Sequence, residues 1–226
     1  MRAVVLPARG GPLRALDLPR PEPGPGEVLL RVEACGVCRT DLHLVDGELR
    51  DAVTPVVPGH QVVGRVEALG AGADPTLSGR RLGLPWLGGA CGTCRFCAGG
   101  QENLCDAARF TGCHRDGGFA EFAVADGRYL LEIPKGYSSV EAAPLLCAGL
   151  IGYRTLRLAG DPGRVGIYGF GAAAHLVTQV ARHEGREVFA FTRPDDPEAQ
   201  AFALGLGAAW AGGSDQTPPE PMDSAL

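Results

Sequence analysis

Four cysteines, Cys91, Cys94, Cys97 and Cys105, follow the spacing C-x2-C-x2-C-x7-C inside one glycine-rich stretch. Thiolates at this spacing can turn toward a common point, and four of them complete a closed tetrahedral zinc site with a structural role. Four thiolates also hold iron-sulfur clusters, so spacing alone leaves that occupant open. A second set is scattered along the chain: Cys35-Gly36-Val37-Cys38-Arg39-Thr40-Asp41-Leu42-His43, then Pro58-Gly59-His60-Gln61, then Cys147-Ala148-Gly149. Each is weak alone, since a lone cysteine is usually a small core residue. Together they supply two thiolates and an imidazole, leaving one tetrahedral position for water or substrate, which is what a catalytic zinc needs. Cys35 and Cys113 fall outside both sets and read as buried or reduced thiols. A third feature is Gly169-Phe170-Gly171-Ala172-Ala173-Ala174, a glycine turn of the kind that lets a pyrophosphate approach a helix N-terminus.

The elements that must position these groups fall into two regions. Up to about Glu132, short β-type runs (Val28 to Ala34, Val62 to Leu69, Arg81 to Leu84, Phe119 to Ala125, Tyr129 to Ile133) alternate with glycine and proline, the pattern of an all-β barrel or sandwich. The proline-rich Leu18 to Gly26 cannot be a central strand and reads as an extended surface connection. After Ser138 the pattern changes. A helix start at Ser139, a helix over Ala148 to Leu158 and a strand over Arg164 to Tyr168 lead into the glycine turn. Ala173, Leu176, Val177, Val180 and Ala181 then fall at helical spacing, and the helix stops at Gly185. A strand over Glu187 to Phe191, a helix over Asp195 to Leu204 and a third strand over Ala208 to Ala211 complete β-α-β-α-β, the start of a doubly wound parallel sheet.

The chain has 226 residues with 45% hydrophobic and 21% charged residues, 34 Gly and 18 Pro, a globular composition rich in turns. At roughly 150 residues per domain that length suggests about one and a half domains. The net charge is −5, Lys135 is the only lysine and no basic run forms a patch, which argues against a nucleic-acid partner. No apolar run reaches the roughly 20 residues that span a bilayer, so no membrane partner is expected. The chain reads as cytoplasmic, where its 8 cysteines are better explained as metal ligands than as disulfides.

About twenty residues past the glycine turn, where an NAD enzyme carries Asp or Glu for the ribose hydroxyls, stands Thr192-Arg193. The missing carboxylate removes repulsion against a 2′-phosphate and Arg193 can pair with one, which favours NADP over NAD. Asp195 and Asp196 keep NAD open.

This combination of motifs resembles the zinc-dependent alcohol dehydrogenases of the medium-chain dehydrogenase/reductase superfamily. The resemblance rests on G-V-C-x-T-D-x-H at 36–43, the Gly-His pair at 59–60, the four cysteines at 91–105, D-G-G-F-A-E-F at 116–122 and the turn from Gly169, in the family's order over essentially the whole chain. It implies a mixed α/β architecture: a GroES-like β-barrel catalytic domain over 1–150 with a structural-zinc lobe at 88–106, then the N-terminal half of a Rossmann dinucleotide-binding domain over 151–226. It implies that Cys38, His60 and Cys147 hold one catalytic zinc and that Cys91, Cys94, Cys97 and Cys105 hold one structural zinc. Thr40 matches the hydroxyl that accepts the alcohol proton, His43 the outer member of the proton relay, Asp41 the carboxylate that orients His60, and Arg39 a cofactor-phosphate contact. Gly169, Gly171, Ala172, Thr192 and Arg193 would meet NAD or NADP. The implied reaction is hydride transfer between a primary alcohol, or the aldehyde, and NAD(P), with a homo-oligomer expected of a full-length chain. Where the family commonly has Gly-His-Glu, this chain has Gly59-His60-Gln61, expected to tune the metal site. Trp86 and Leu87 are candidates for a substrate wall or for plain packing.

From Arg164 onward there is room for the first half of a dinucleotide fold only, at about 30 or more residues per βαβ unit. The segment Gly212 to Leu226 reads as a turn-rich link without a strand. Both domains therefore read as incomplete, and a non-catalytic zinc-binding module carrying half a nucleotide fold is the alternative reading.

Overall fold

The computed structural model describes all 226 residues, which form two compact units, Met1–Cys147 and Ala148–Leu226. A boundary at 150 would cut a helix that starts at Ala148, and the chain divides ahead of it.

The first unit is built on β1 (Arg2–Val5), β2 (Arg14–Asp17), β3 (Glu27–Gly36), α1 (Arg39–Val45), β4 (Gln61–Leu69), β5 (Arg81–Leu84), β6 (Leu87–Gly89), α2 (Arg95–Ala98), β7 (Arg109–Phe110), β8 (Phe122–Asp126), β9 (Leu131–Glu132) and α3 (Ser139–Ala142). The principal sheet has the order β8-β3-β4-β5-β9, antiparallel throughout. Its inner face buries Val28, Leu30, Val62, Val66, Leu82, Leu84, Ala123 and Ala125. Two register shifts in β3, between Leu29 and Leu30 and between Val32 and Ala34, mark bulges, which bend and twist a strand. The end of β3 carries Cys35 and Gly36 into the turn before α1.

Strand β8 starts three residues later than expected. Phe119 and Glu121 lie in bends and Ala120 forms an isolated bridge to Ala3, with Val4 N–H donating to Phe119 O at 2.7 Å and Glu121 N–H to Arg2 O at 3.1 Å, while Glu121 O accepts from Val32 N–H of β3 at 2.9 Å. The expected strand over Tyr129 to Ile133 shrinks to β9. Asp126 caps a short 3-10 turn at Gly127–Tyr129 by accepting from Arg128 N–H, and that turn takes up the first residue of the run.

The second unit contains α4 (Ala148–Leu158), β10 (Arg164–Tyr168), α5 (Ala172–His183), β11 (Glu187–Thr192), α6 (Pro197–Gly205), β12 (Trp210–Gly213) and β13 (Ser224–Ala225). The sheet order is β12-β11-β10-β13, all parallel. The middle of β10 and all of β11 after Glu187 are buried, as expected of strands covered on both faces. Val165, Ile167, Val188 and Ala190 pack with Leu156, Val177 and Ala181 from the helices. Gly152 lets α4 and α5 approach closely, since a Cβ there would lie 2.9 Å from Ala173 O.

One expectation is corrected here. Gly212 to Leu226 is not strandless: Ser224–Ala225 pairs with Val165 and Gly166, and Leu226 extends the ladder by donating to Gly166 O at 2.8 Å and accepting from Tyr168 N–H at 2.9 Å. Two residues carry no periodicity, and the prolines ahead of them masked the strand. It occupies the side of β10 opposite β11, where the second half of a doubly wound sheet begins.

Candidate functional site

Helix α1 is short, and its sequence places its first turn with care. Cys38 is its N-cap: the Thr40 N–H donates to Cys38 Sγ at 3.3 Å, while the Asp41 carboxylate accepts from Cys38 N–H at 2.8 Å, a reciprocal capping box with a thiol in place of the usual hydroxyl. The other oxygen of Asp41 faces His60 Nδ1 at 3.4 Å. One carboxylate, 5% exposed, thus caps the helix and orients an imidazole that is 1% exposed.

His60 sits between Gly59 and the first residue of β4. Gly59 has φ +95, and a Cβ there would meet Cys35 Sγ at 2.8 Å and the Phe119 ring at 2.5 Å, so only glycine fits. The 116–119 segment braces this turn. Asp116 accepts from Val57 N–H at 2.8 Å, Gly118 N–H donates to Gly59 O at 2.9 Å and Phe119 N–H to Pro58 O at 3.0 Å. D-G-G-F thus braces the turn that carries His60, a role the motif alone did not disclose. Trp86 stands edge-on to His60, ring centroids 5.0 Å apart, and stacks on Phe110 at 4.8 Å. It thereby packs with Leu6, Leu44, Val56 and Cys113 while still facing the imidazole. Leu87 is half-buried in β6.

With Nδ1 held by Asp41, Nε2 points at both thiols: 3.3 Å from Cys38 Sγ and 3.4 Å from Cys147 Sγ. Cys147 ends the 3-10 turn Ala143–Leu146, whose Ala143 and Leu146 pack with Val63 of β4. The Cys147 thiol hydrogen-bonds to Cys38, and this contact holds the Cys38 thiol down at about 3 against the opposing effect of burial, with His60 and Thr40 adding to it. The same contact, followed by burial, pushes Cys147 up. Burial is the largest single influence on His60 and lowers it, but the Asp41 and Cys38 partners outweigh it and raise the imidazole to about 9. Gln61, 3% exposed, opposes Gly36 across β3 and β4 and hydrogen-bonds to Cys147; a Cβ on Gly36 would collide with its amide oxygen.

The second cysteine set lies on α2 and its flanks. Cys94 and Cys97 sulfurs are 3.5 Å apart and Cys91 and Cys97 3.9 Å, with backbone N–H of Cys94 and Cys91 donating to Cys91 and Cys105 sulfurs at 3.4 and 3.5 Å. Backbone N–H groups of Thr93 and Cys94 bring the Cys91 thiol down to about 6, while burial pushes Cys97 up to about 12.

Both sets fit a tetrahedral metal ion. Zinc bond lengths imply sulfur-sulfur separations of about 3.8 Å and sulfur-nitrogen separations of about 3.6 Å. The donor atoms within each set, Cys38 with His60 and Cys147, and Cys91 with Cys94, Cys97 and Cys105, lie within 4.8 Å of one another. All eight cysteines are free, and the sulfur separations are far beyond a disulfide bond of about 2 Å. The three-donor set leaves one tetrahedral position open and the four-donor set leaves none.

Thr40 is half-buried two residues beyond Cys38, His43 lies one turn further along α1 and Arg39 is exposed. His43 Nδ1 pairs with Glu48, a partner that sequence reading missed; its only signal is a carboxylate just past the Gly47 turn. In the second unit Gly169 has φ +85 and Gly171 is the N-cap of α5 without a side-chain cap; a Cβ at either would meet nothing within 4 Å. The N–H groups at the start of α5, from Ala172 on, are therefore left for an anion. Thr192 is narrowed as a candidate: it is buried, its hydroxyl donates to Arg193 O at 2.9 Å and accepts from Gln200 at 3.2 Å, so the chain itself uses it. Arg193 is exposed, and Asp196 is taken up in capping α6.

The family of alcohol dehydrogenase GroES-like domains matches residues 24–135. The protein named "Probable alcohol dehydrogenase AdhA" in Mycobacterium tuberculosis is 46% identical over 227 residues, spanning 97% of this chain and 65% of that protein. An alcohol dehydrogenase of Geobacillus stearothermophilus is 40% identical over 208 residues, spanning 91% of this chain and 62% of its own. The chain thus spans under two thirds of the length of these curated relatives. Among solved structures, CAD from Helicobacter pylori, complexed with NADP(H), superposes with a TM-score of 0.89 at 26% identity, over 99% of this chain and 67% of that one. No helix of this chain is long and apolar enough to cross a membrane.

Proposed function

Because this chain belongs to the zinc-dependent alcohol dehydrogenase family, we propose that it carries the metal and proton-relay machinery for hydride transfer between a primary alcohol, or its aldehyde, and NAD(P). The observation that carries the reading is the convergence of Cys38, His60 and Cys147 around one point with the fourth position open. Zinc held there supplies Lewis acidity, which makes the hydroxyl of an alcohol easier to deprotonate. Thr40 is the group that takes that proton from the alcohol oxygen and hands it toward His43, which releases it to water. Asp41 fixes the His60 ring so that Nε2 presents its lone pair to the metal. Cys91, Cys94, Cys97 and Cys105 hold a second, structural zinc. A reducing compartment suits two sets of thiolate ligands, and the cytoplasm is the proposed location.

For the cofactor we propose NADP. Arg193 is exposed just past the end of β11, Thr192 stands where an NAD enzyme carries a carboxylate, and the Thr192 hydroxyl is turned inward. Binding of the two dinucleotides to the chain tests this: Arg193→Ala weakens NADP and spares NAD, whereas a wild-type preference for NAD overturns it.

Zinc content of the purified chain, measured together with alcohol-dependent NAD(P) reduction, tests the main reading. We expect two zinc per chain; Cys38→Ser loses one of them together with any turnover, and Cys94→Ser loses the other with a fall in thermal stability. Two zinc without turnover favours the metal-binding module, and turnover retained in Cys38→Ser overturns the catalytic assignment.

A further inference from the structure

Beyond the end of α1 the chain doubles back onto the helix. Asp46 N–H donates to Leu42 O at 2.8 Å, Gly47 takes φ +79, and Glu48 N–H donates to His43 O at 2.9 Å. The last bond sets Glu48 beside His43, and its carboxylate meets His43 Nδ1. The turn tolerates little else at Gly47, because a Cβ there would lie 2.9 Å from Arg9 Cγ and 3.3 Å from Gly10 N. Asp46 is on the same turn, and Arg9, whose side-chain carbons lie against Gly47, donates to Arg50 O and forms no ion pair with Glu48. His43 is therefore the one partner of the Glu48 carboxylate.

We infer that Glu48 is a positioning residue for His43: by accepting from Nδ1–H it holds the neutral ring in the tautomer whose Nε2 carries the free lone pair. A neutral imidazole has one donor and one acceptor nitrogen, and which is which follows from the bond made by the other. A carboxylate at Nδ1 can only accept, so the proton sits on Nδ1. The consequence for the relay rests on the reading of Thr40 and His43 given above. Thr40 and His43 are three apart on α1 and share a face. A proton passed on by Thr40 is taken by Nε2, which makes an imidazolium whose Nδ1–H remains bonded to the Glu48 carboxylate. Loss of the Nε2 proton to water restores the starting tautomer, so the proton taken from the alcohol is the proton released and Glu48 never changes its protonation. Without Glu48 a share of the rings already carries a proton on Nε2 and cannot accept another.

The imidazole nitrogen spectrum of the nitrogen-15-labelled 226-residue chain, recorded above the histidine titration range, reads the tautomer directly. His43 is assigned by the signal lost in His43→Asn. We expect the Nδ1–H form in about fivefold excess, the bias of an exposed pair at the upper end of its usual range. Glu48→Ala removes that excess while the amide spectrum elsewhere is unchanged. The wild-type spectrum is decisive by itself: a proton on Nε2 overturns the inference, as does a tautomer ratio that Glu48→Ala leaves unmoved. Thr40→Val separates this inference from the relay it serves. It leaves the His43 tautomer alone, so retained turnover in that variant refutes the relay while the tautomer measurement stands.

Discussion

Asp41→Asn tests the logic of the site at one atom. The carboxylate accepts from Cys38 N–H at 2.8 Å with one oxygen and faces His60 Nδ1 at 3.4 Å with the other. Asparagine has one acceptor and one donor. The Cys38 N–H can be met only by the amide oxygen, so the amide NH2 is left against Nδ1 and donates to it. That forces the imidazole proton onto Nε2, the nitrogen required as a metal ligand. The helix cap survives, and the fold should lose less than about 1 kcal/mol, the usual worth of a cap. The metal site loses the orienting carboxylate, which typically weakens metal binding about 10- to 100-fold, equivalent to about 1.4 to 2.7 kcal/mol. Competition with a chromogenic chelator on the zinc-loaded chain resolves two classes of zinc. The expected result is that one class, the Cys38, His60 and Cys147 site, weakens by this factor while the four-cysteine site keeps its affinity. Equal weakening of both classes, or of neither, refutes the argument that Asp41 acts through the His60 tautomer.

Three further outcomes follow from the same geometry. Gly59→Ala adds a Cβ against Phe119 and Cys35 at a positive φ, and should destabilise the chain by about 3 kcal/mol or more in denaturant melts, since strain and overpacking add. Burial holds the Cys35 thiol up at about 12 and the Cys113 thiol up at about 11, against an ordinary 9.0, so both stay neutral in the fold. Their contribution is fully present below pH 9 and is lost as pH rises from 9 toward 12; denaturant midpoints should fall over that window, and neither thiol should react with iodoacetamide in the native chain at pH 8. Gln61→Glu places a carboxylate 3% exposed beside Cys147, so the chain stripped of zinc should melt earlier than wild type and gain more from zinc addition. An unchanged difference between the two melting temperatures would remove Gln61 from the metal environment.

The two clusters of donor side chains were legible because ligand chemistry leaves a spacing that little else produces, and β10 with α5 was legible because an apolar run feeding glycines and then a helical period is a local signal. Helix α1 escaped notice for a physical reason. Its cap is a cysteine rather than one of the usual Ser, Thr, Asp or Asn residues, and its 7 residues are mostly read as chemistry, so neither the start signal nor the period stands out. The misplaced start of β8 has a nonlocal cause: Phe119 has strand character, but its N–H goes to Pro58, 61 residues earlier in the chain, to brace Gly59. Glu48 was invisible as a partner of His43 because their meeting depends on the Gly47 turn. Thr192 looked like a cofactor contact by position, and only the inward hydrogen bonds reveal that its hydroxyl is already used.

The grouping of Cys38, His60 and Cys147 has a further consequence for how the chain assembles the proposed site. Cys38, His60 and Cys147 all belong to the unit Met1–Cys147, and Cys147 is its last residue. Two ligands come from the turn regions at the adjacent ends of β3 and β4, and the third is delivered by the 3-10 turn that packs on β4 through Ala143 and Leu146. The donor set therefore depends on the antiparallel β3-β4 register and on the chain leaving the sheet at one particular point, and requires no side chain from the nucleotide-type unit that follows. A one-residue slip of β4 would turn His60 to the opposite face, away from both thiols. The observed register needs glycine at both flanking positions, since a Cβ on Gly36 would collide with the Gln61 amide oxygen and one on Gly59 with Phe119 and Cys35. The glycines flanking the donor residues are thus as much a part of the proposed metal site as the thiols are, although they contribute no donor atom.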